Sequence, residues 1–289
     1  MTAIPAAAQP LGHGDIRDMA AVAPDAVDAY GEDEHQYGEL RLPAGDGPFP
    51  VAVLVHGGCW TKSIGATLEY LRPMASALAA HGIATWTIEY RQVGDDGGGW
   101  PGSFEDWAEG TDYLRTLARR YPLDLDRVTL VGHSAGAHAA LWLAGRTSIS
   151  RESELARASV VPLPVRAVIS LDGPGDLETG RARAAEICGL DGIVNVMGGT
   201  PEEVPQRYAS GSPSNLLPLG VKQLVVASVI MPPDQGEAWM RAAEAAGDDD
   251  VSLIRLQDSG HFDMLAPGTP TWEMLLPRYL QTIRGEDSE

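Results

Sequence analysis

A serine and a histidine in this chain stand in sequence contexts that are typical of nucleophilic catalysis. Ser134 is the centre of the pentapeptide Gly-His-Ser-Ala-Gly at residues 132–136, directly after the apolar run 128–131. A strand, a tight turn and the start of a helix in this order hold the serine oxygen exposed at the strand end, and the flanking glycines leave room for the turn. Because a serine hydroxyl is a weak nucleophile, the pattern predicts a base beside it.

His261 is the predicted base. It follows the predicted strand 251–256 and a short turn, so it can reach Ser134 across the carboxyl edge of a parallel sheet. Its position and the preceding Gly260 distinguish it from four histidines to which we assign no role, namely His13, His35, His81 and His138.

Two aspartates compete for the role of the acid that orients the histidine. We predict Asp234, because it follows the predicted strand 223–230 and lies between Ser134 and His261 in the chain. Asp172, at the end of the predicted strand 165–171, is the competing candidate. The carboxylate would hold the imidazole in one tautomer and stabilise its protonated form. Asp234 could instead cap the helix that begins there, since Asp after two prolines is a good cap.

Residues 56–59 (His-Gly-Gly-Cys), which follow the predicted strand 51–55, indicate an oxyanion hole. The backbone N–H groups of Gly58, Cys59 and Ala135 would point at the oxygen that becomes negative in the transition state. His56 is interpreted as a residue that fixes this loop rather than as a second base.

Trp60 and Trp100 are the candidates for substrate binding, because both lie in predicted loops at the carboxyl ends of strands. Aromatic residues pack in the core more often than they contact substrate. No cofactor and no metal is predicted. The glycine run 97–99 lacks the Lys-Ser/Thr of a phosphate loop, and the acidic run 248–250 falls in a predicted turn.

The elements that must position these residues alternate along the chain. Short apolar strands separated by helices predict an α/β protein with a mostly parallel central sheet and helices on both faces. An edge strand is expected at 35–42. The central strands are expected at 51–55, 83–90, 127–131, 165–171, 223–230 and 251–256, and the helices near 65–80, 104–120, 234–247 and 271–283.

We expect a single domain over residues 28–289, preceded by an arm at 1–27 that could cap a site. The longer insert 173–220, rich in Pro, Gly and Ser, follows a strand end on the side where open α/β sheets bind ligands. It is predicted to form a wall or a small cap over the pocket.

The composition excludes several classes of partner. Forty Asp and Glu against 21 Lys and Arg give a formal charge of −19, which argues against nucleic acid and against an anionic membrane surface. The first ten residues lack a basic segment followed by an apolar run, so no signal peptide is predicted. Cys59 and Cys188 are expected to be free thiols, and a cytoplasmic location is expected.

These motifs resemble those of the α/β-hydrolase superfamily, and within it those of carboxylesterases of the hormone-sensitive-lipase and kynurenine-formamidase-like branch. The resemblance implies a triad in the order serine, aspartate, histidine. The His-Gly-Gly-x-Trp form is more similar to formamidase-like sequences than to the His-Gly-Gly-Gly form of many esterases. The segments that carry the resemblance are 56–60, 89–91, 98–102, 132–136, 212–213 and 260–262.

The predicted function is that of a serine hydrolase that cleaves small carboxylic esters through an acyl-enzyme. An arylformamidase that acts on amides of the N-formylkynurenine type is the alternative within the same class. A small-molecule binding protein without turnover, and an acyltransferase, are further alternatives on the same scaffold. The predicted partner is a small ester or amide. The number of subunits is left open, with a homodimer among the options.

Overall fold

The described residues form one eight-stranded sheet. The computed structural model describes residues 10–159, 161–257 and 259–286, so the first nine residues of the predicted arm lie outside it. The strands are β1 (Ala26–Ala29), β2 (Tyr37–Arg41), β3 (Phe49–Val55), β4 (Ala84–Ile88), β5 (Leu123–His133), β6 (Ala167–Leu171), β7 (Lys222–Ala227) and β8 (Val251–Arg255).

The strand order is β1-β2-β4-β3-β5-β6-β7-β8. The six strands from β3 to β8 are parallel to one another. At one side β2 pairs antiparallel with β4, and β1 pairs antiparallel with β2. The mostly parallel sheet predicted from the sequence is therefore confirmed. β1 covers the outer side of β2, which the sequence predicted to be the edge.

Helices cover both faces of the sheet. On one face lie α1 (His13–Arg17), α2 (Arg72–Ala80) and α10 (Pro270–Arg284), and on the other α3 (Gly102–Asp112), α4 (Leu114–Leu117), α5 (Ala135–Gly145) and α9 (Pro233–Ala246). The insert 173–220 carries α6 (Arg181–Cys188), α7 (Gly192–Met197) and α8 (Pro205–Gly211). Every helix in the described part of the chain is too short or too polar to span a membrane.

Strand β3 shows that the sheet lies between two hydrophobic cores. All seven of its residues are buried, and successive side chains point into opposite cores. Val51, Val53 and Val55 pack on the face of α3 and α5, whereas Ala52 and Leu54 pack on the face of α2 and α10. Burial on both faces explains the unbroken apolar run that predicted this strand.

His138 lies on α5 in the middle of an aromatic cluster and is fully buried. Its Nδ1 accepts the indole N–H of Trp60 at 3.1 Å, and its Nε2 donates to the carbonyl of Gly211 at 2.8 Å. Only the neutral ring with the proton on Nε2 satisfies both contacts. Burial lowers the pKa of His138 from 6.5 to about 4, against the opposing effect of the Gly211 carbonyl.

This histidine should make the protein less stable in acid. The unfolded chain binds a proton near pH 6.5 and the folded chain only near pH 4. The stability contributed by the neutral ring is therefore present above pH 6.5 and lost as the pH falls through this window. In urea unfolding, the wild type should lose about 3 kcal/mol more between pH 6.5 and 4 than His138→Gln, which keeps a donor for Gly211. Parallel pH dependences would contradict this.

Candidate active site

Ser134 occupies the sharp turn between β5 and α5. Its backbone has φ 58° and ψ −122°, a conformation that costs a non-glycine residue free energy and places the side chain at the end of the strand. The turn is closely packed, because a Cβ atom at Gly136 would lie only 2.0 Å from the carbonyl oxygen of Val55. The predicted strand, tight turn and helix start are all present around Ser134.

His261 contacts Asp172. The Nδ1 atom of His261 lies 2.7 Å from Oδ2 of Asp172, whose carboxylate is completely buried directly after β6. The loop after β7 surrounds this carboxylate, with four backbone N–H groups donating to it at 2.9–3.2 Å from Ser228, Val229, Ile230 and Met231. The carboxylate is held by a pocket of backbone donors that also fixes the position of the histidine.

The ionised form of Asp172 is favoured despite its burial. Burial raises the pKa of this carboxyl, but the hydrogen bond and charge of His261 and the N–H groups of Met231 and Val229 lower it by more, so that it lies below its ordinary value. An ionised acceptor on Nδ1 keeps the other ring nitrogen, Nε2, free to accept a proton.

The structure does not place the predicted acid, Asp234, beside His261. Asp234 is exposed in the first turn of α9, where a carboxylate interacts favourably with the helix dipole. The predicted strand 223–230 is also too long. β7 ends at Ala227, and the next residues turn their N–H groups toward Asp172 instead of continuing the sheet. The competing candidate from the sequence, Asp172, is the residue that contacts the histidine.

The three predicted oxyanion donors have no hydrogen-bond partner in the described part of the chain. Among the described residues, no acceptor receives a hydrogen bond from the backbone N–H groups of Gly58, Cys59 or Ala135. Gly58 and Cys59 line the same pocket as Ser134, and Ala135 directly follows the serine at the start of α5. Unpaired N–H groups around a serine can stabilise a negative oxygen.

Ser134 and His261 face one pocket of about 180 Å³. No hydrogen bond joins the serine oxygen to Nε2 in this arrangement, and such bonds often close only when substrate binds. His13 of the N-terminal arm also lines the pocket, and the arm is attached by the N–H of Leu11 to Asp263 at 3.2 Å. The apolar part of the wall comes from Ile64, Ala66, Ile187, Ile230 and Phe262.

The two predicted substrate contacts, Trp60 and Trp100, do not line this pocket. Trp60 is 2% exposed and its indole N–H is bound to His138, so it is part of the core. Trp100 packs edge-on against Phe104 and lies beside a different cleft, with the guanidinium of Arg207 over its ring. Trp60 packs against α5 and the insert, and Trp100 packs against α3 and the insert.

The two cysteines are joined in a disulfide, which corrects the prediction of free thiols. Cys59 and Cys188 have a Cα–Cα distance of 6.0 Å, within the usual range for a disulfide. They are 129 residues apart, and the insert brings the end of α6 back to the loop after β3. The expected cytoplasmic location therefore loses the support that free thiols gave it.

A chain of buried hydrogen bonds connects residues 56–59, the predicted oxyanion loop, to the loop that holds His261. The hydroxyl of Tyr70 accepts the N–H of Gly57 and lies 3.1 Å from Nδ1 of His133. The Nε2 atom of His133 lies 2.9 Å from the carbonyl oxygen of His261. Burial and the charge of His261 hold the pKa of His133 well below 6.5. The neutral ring thus donates to His261 and accepts from Tyr70.

Buried contacts of His56 also support the loop at residues 56–59. His56 places Nε2 2.6 Å from Oε1 of Glu89 and Nδ1 2.7 Å from the carbonyl oxygen of Gly57. Burial raises the pKa of Glu89, but the charge and hydrogen bond of His56 and the N–H groups of Leu68 and Tyr90 lower it below its usual value. This arrangement agrees with His56 as a residue that fixes the loop.

The fold confirms the superfamily that the motifs resemble: the protein is an esterase-type member of the α/β-hydrolase superfamily. Its family can be stated more narrowly. The family model BD-FAE matches residues 39–221, more than half of the chain, and the chain belongs to that family. No curated protein matches this sequence.

Solved esterases have similar structures. Esterase B from Lactobacillus rhamnosis has a TM-score of 0.73 at 17% identity, covering 93% of this chain and 89% of that one. Esterase LipW from Mycobacterium marinum has a TM-score of 0.68 at 19% identity, with coverages of 90% and 81%. Butyrate-bound Est2 from Thermogutta terrifontis has a TM-score of 0.67 at 15% identity, with coverages of 90% and 93%. At these identities the likeness is one of fold.

The two aspartates provide a direct test of the triad geometry. Asp172→Asn should lower kcat by about 10³- to 10⁴-fold, because an amide facing Nδ1 no longer holds the tautomer that leaves Nε2 free. Asp234→Asn is the matched control and should remain within about twofold of the wild type, since its side chain is exposed. Steady-state ester hydrolysis, with the melting temperature of each variant, checks this. The opposite ranking would contradict the geometry.

Proposed function

We propose that this protein hydrolyses esters of short carboxylic acids through an acyl-enzyme on Ser134. The observation that carries the proposal is the convergence of three features on one small pocket. These are the serine at the turn after β5, the His261–Asp172 pair, and the N–H groups of Gly58 and Cys59, to which Ala135 directly after the serine adds a third.

The proposed reaction has two halves, acylation of Ser134 and deacylation by water, and the same groups act once in each half. His261 Nε2 takes the hydroxyl proton of Ser134 as Oγ attacks the ester carbonyl, and the carbonyl oxygen becomes negative against the unpaired N–H groups. The intermediate collapses, the C–O bond to the alcohol breaks, and His261 returns the proton to the leaving oxygen. Water then repeats the sequence on the acyl-enzyme, releasing the acid and restoring the serine.

The pocket favours a small apolar acyl group. Its volume of about 180 Å³ is below the 300 Å³ or more that is typical of sites for drug-sized ligands. Ile64, Ile187 and Ile230 give it an apolar wall. Butyrate bound in Est2, a protein of the same fold, is a ligand of this size and chemistry. The net charge of −19 disfavours polyanionic substrates at long range.

A kinetic comparison tests the proposal. We expect p-nitrophenyl acetate and butyrate to give the highest kcat/KM, with a decline at octanoate as the chain outgrows the pocket. A pre-steady-state burst of p-nitrophenol would report acyl-enzyme accumulation wherever deacylation is slower than acylation. Ser134→Ala should lose at least about 10⁴-fold in kcat while keeping the wild-type circular dichroism spectrum, because the nucleophile is removed from a buried scaffold.

N-formylkynurenine is measured in parallel. A formamide kcat/KM well above every ester value would replace the ester with the formamide as substrate and keep Ser134 as nucleophile. Full ester turnover in folded Ser134→Ala would contradict the mechanism itself.

A further inference from the structure

Cys59 lies in the oxyanion loop in a strained conformation. Its φ is 52° and that of the next residue, Trp60, is 59°, both in the left-handed region that non-glycine residues rarely adopt. Such residues persist only where the surroundings hold them. Trp60 is held by Val93, whose N–H donates to its carbonyl at 2.8 Å, and by His138, which accepts its indole N–H. On the other side, the covalent bond to Cys188 holds Cys59.

The other half of the disulfide belongs to the pocket wall. Cys188 is the last residue of α6, and it lines the pocket together with the neighbouring Ile187. This helix is thinly packed, since Ala184 is its one buried residue and Ile187 is 40% exposed. Helix α6 therefore needs attachments other than apolar packing.

Two attachments join α6 to the loops of the site, in addition to the ion pair of Arg181 with Asp191 at the start of α7. The guanidinium of Arg183 donates to the carbonyl oxygen of Val229 at 2.9 Å, in the loop whose N–H groups bind Asp172. At the end of the helix, the disulfide joins Cys188 to the oxyanion loop. The helix thus spans from the loop that holds the acid to the loop that holds the oxyanion donors.

Building on the ester hydrolysis proposed above, we propose that the Cys59–Cys188 disulfide positions the active site. It holds the Cys59 N–H in the oxyanion hole and fixes α6 as the wall that limits the acyl chain. Cys59 and Cys188 are then positioning residues for the reaction, and the state of their bond sets both turnover and chain-length preference.

The disulfide is placed where a small thiol can reach it. Both cysteines are half-buried and line the pocket that opens beside Ser134. A dithiol such as dithiothreitol would break the S–S bond by exchange. Two electrons and two protons pass to the cysteines, which become two thiols, and the dithiol closes to its cyclic disulfide. The strained loop and α6 are then no longer joined covalently.

The test compares oxidised and reduced enzyme, with activity expressed per site titrated by a fluorophosphonate. Reduction should lower kcat on p-nitrophenyl acetate about 10-fold, less than the 10²- to 10³-fold that loss of a whole oxyanion donor costs. The ratio of octanoate to acetate kcat/KM should rise several-fold as the wall loosens. Reoxidation should restore both values. Thiol titration should give about two thiols after reduction and none before.

Cys59→Ala/Cys188→Ala is the matched control. It should show the kinetics of the reduced wild type and no response to dithiothreitol. Equal kcat and equal chain-length profiles for oxidised and reduced enzyme, with thiols exposed, would overturn the proposal. The proposal would also be overturned if reduction abolished both the circular dichroism spectrum and all fluorophosphonate-titratable sites, because the disulfide would then hold the whole fold. Failure of the proposed hydrolysis would be seen separately. The oxidised enzyme would then show no ester turnover that is lost in Ser134→Ala.

Discussion

The site depends on a close approach of backbone at the serine turn. A Cβ atom at Gly173 would lie 1.9 Å from the carbonyl oxygen of Ser134, and one at Gly57 would lie 2.6 Å from the Cβ of that serine. Real side chains cannot occupy such positions, so three chain segments meet there without side chains between them. The ends of β3, β5 and β6 therefore bring the loop at residues 56–59, Ser134 and Asp172 to one point of the sheet edge.

The acid illustrates what chain order alone leaves open. Apolar runs predicted the parallel strands, because strands buried on both faces leave an unbroken pattern. Two aspartates followed such strands, and position favoured Asp234. The structure places Asp172 beside His261, and four N–H groups of the loop at 228–231 turn toward its carboxylate. Those residues are apolar enough to be mistaken for a continuation of β7. Only the acceptor of their N–H groups, which is Asp172 and not a neighbouring strand, distinguishes a loop from a strand.

Contacts between residues far apart in the chain could not be predicted from the sequence for a related reason. Cys59 and Cys188 are 129 residues apart and carry no spacing signature, so their pairing depends on how the insert folds back. Tyr70 likewise has no local motif, although its hydroxyl connects the loop at Gly57 to His133. Trp60 shows the converse: its place in a loop beside the motif indicated a ligand contact, but the strained backbone turns its ring into the core.

In the proposed reaction Ser134, and no other nucleophile of the pocket, carries the covalent intermediate. The most direct measurement is reaction with one equivalent of a fluorophosphonate, followed by intact mass and peptide mapping. We expect one adduct per chain, on Ser134, and suppression of the adduct in Asp172→Asn because His261 no longer activates the hydroxyl. An adduct elsewhere, or none in an enzyme that still turns over esters, would contradict it.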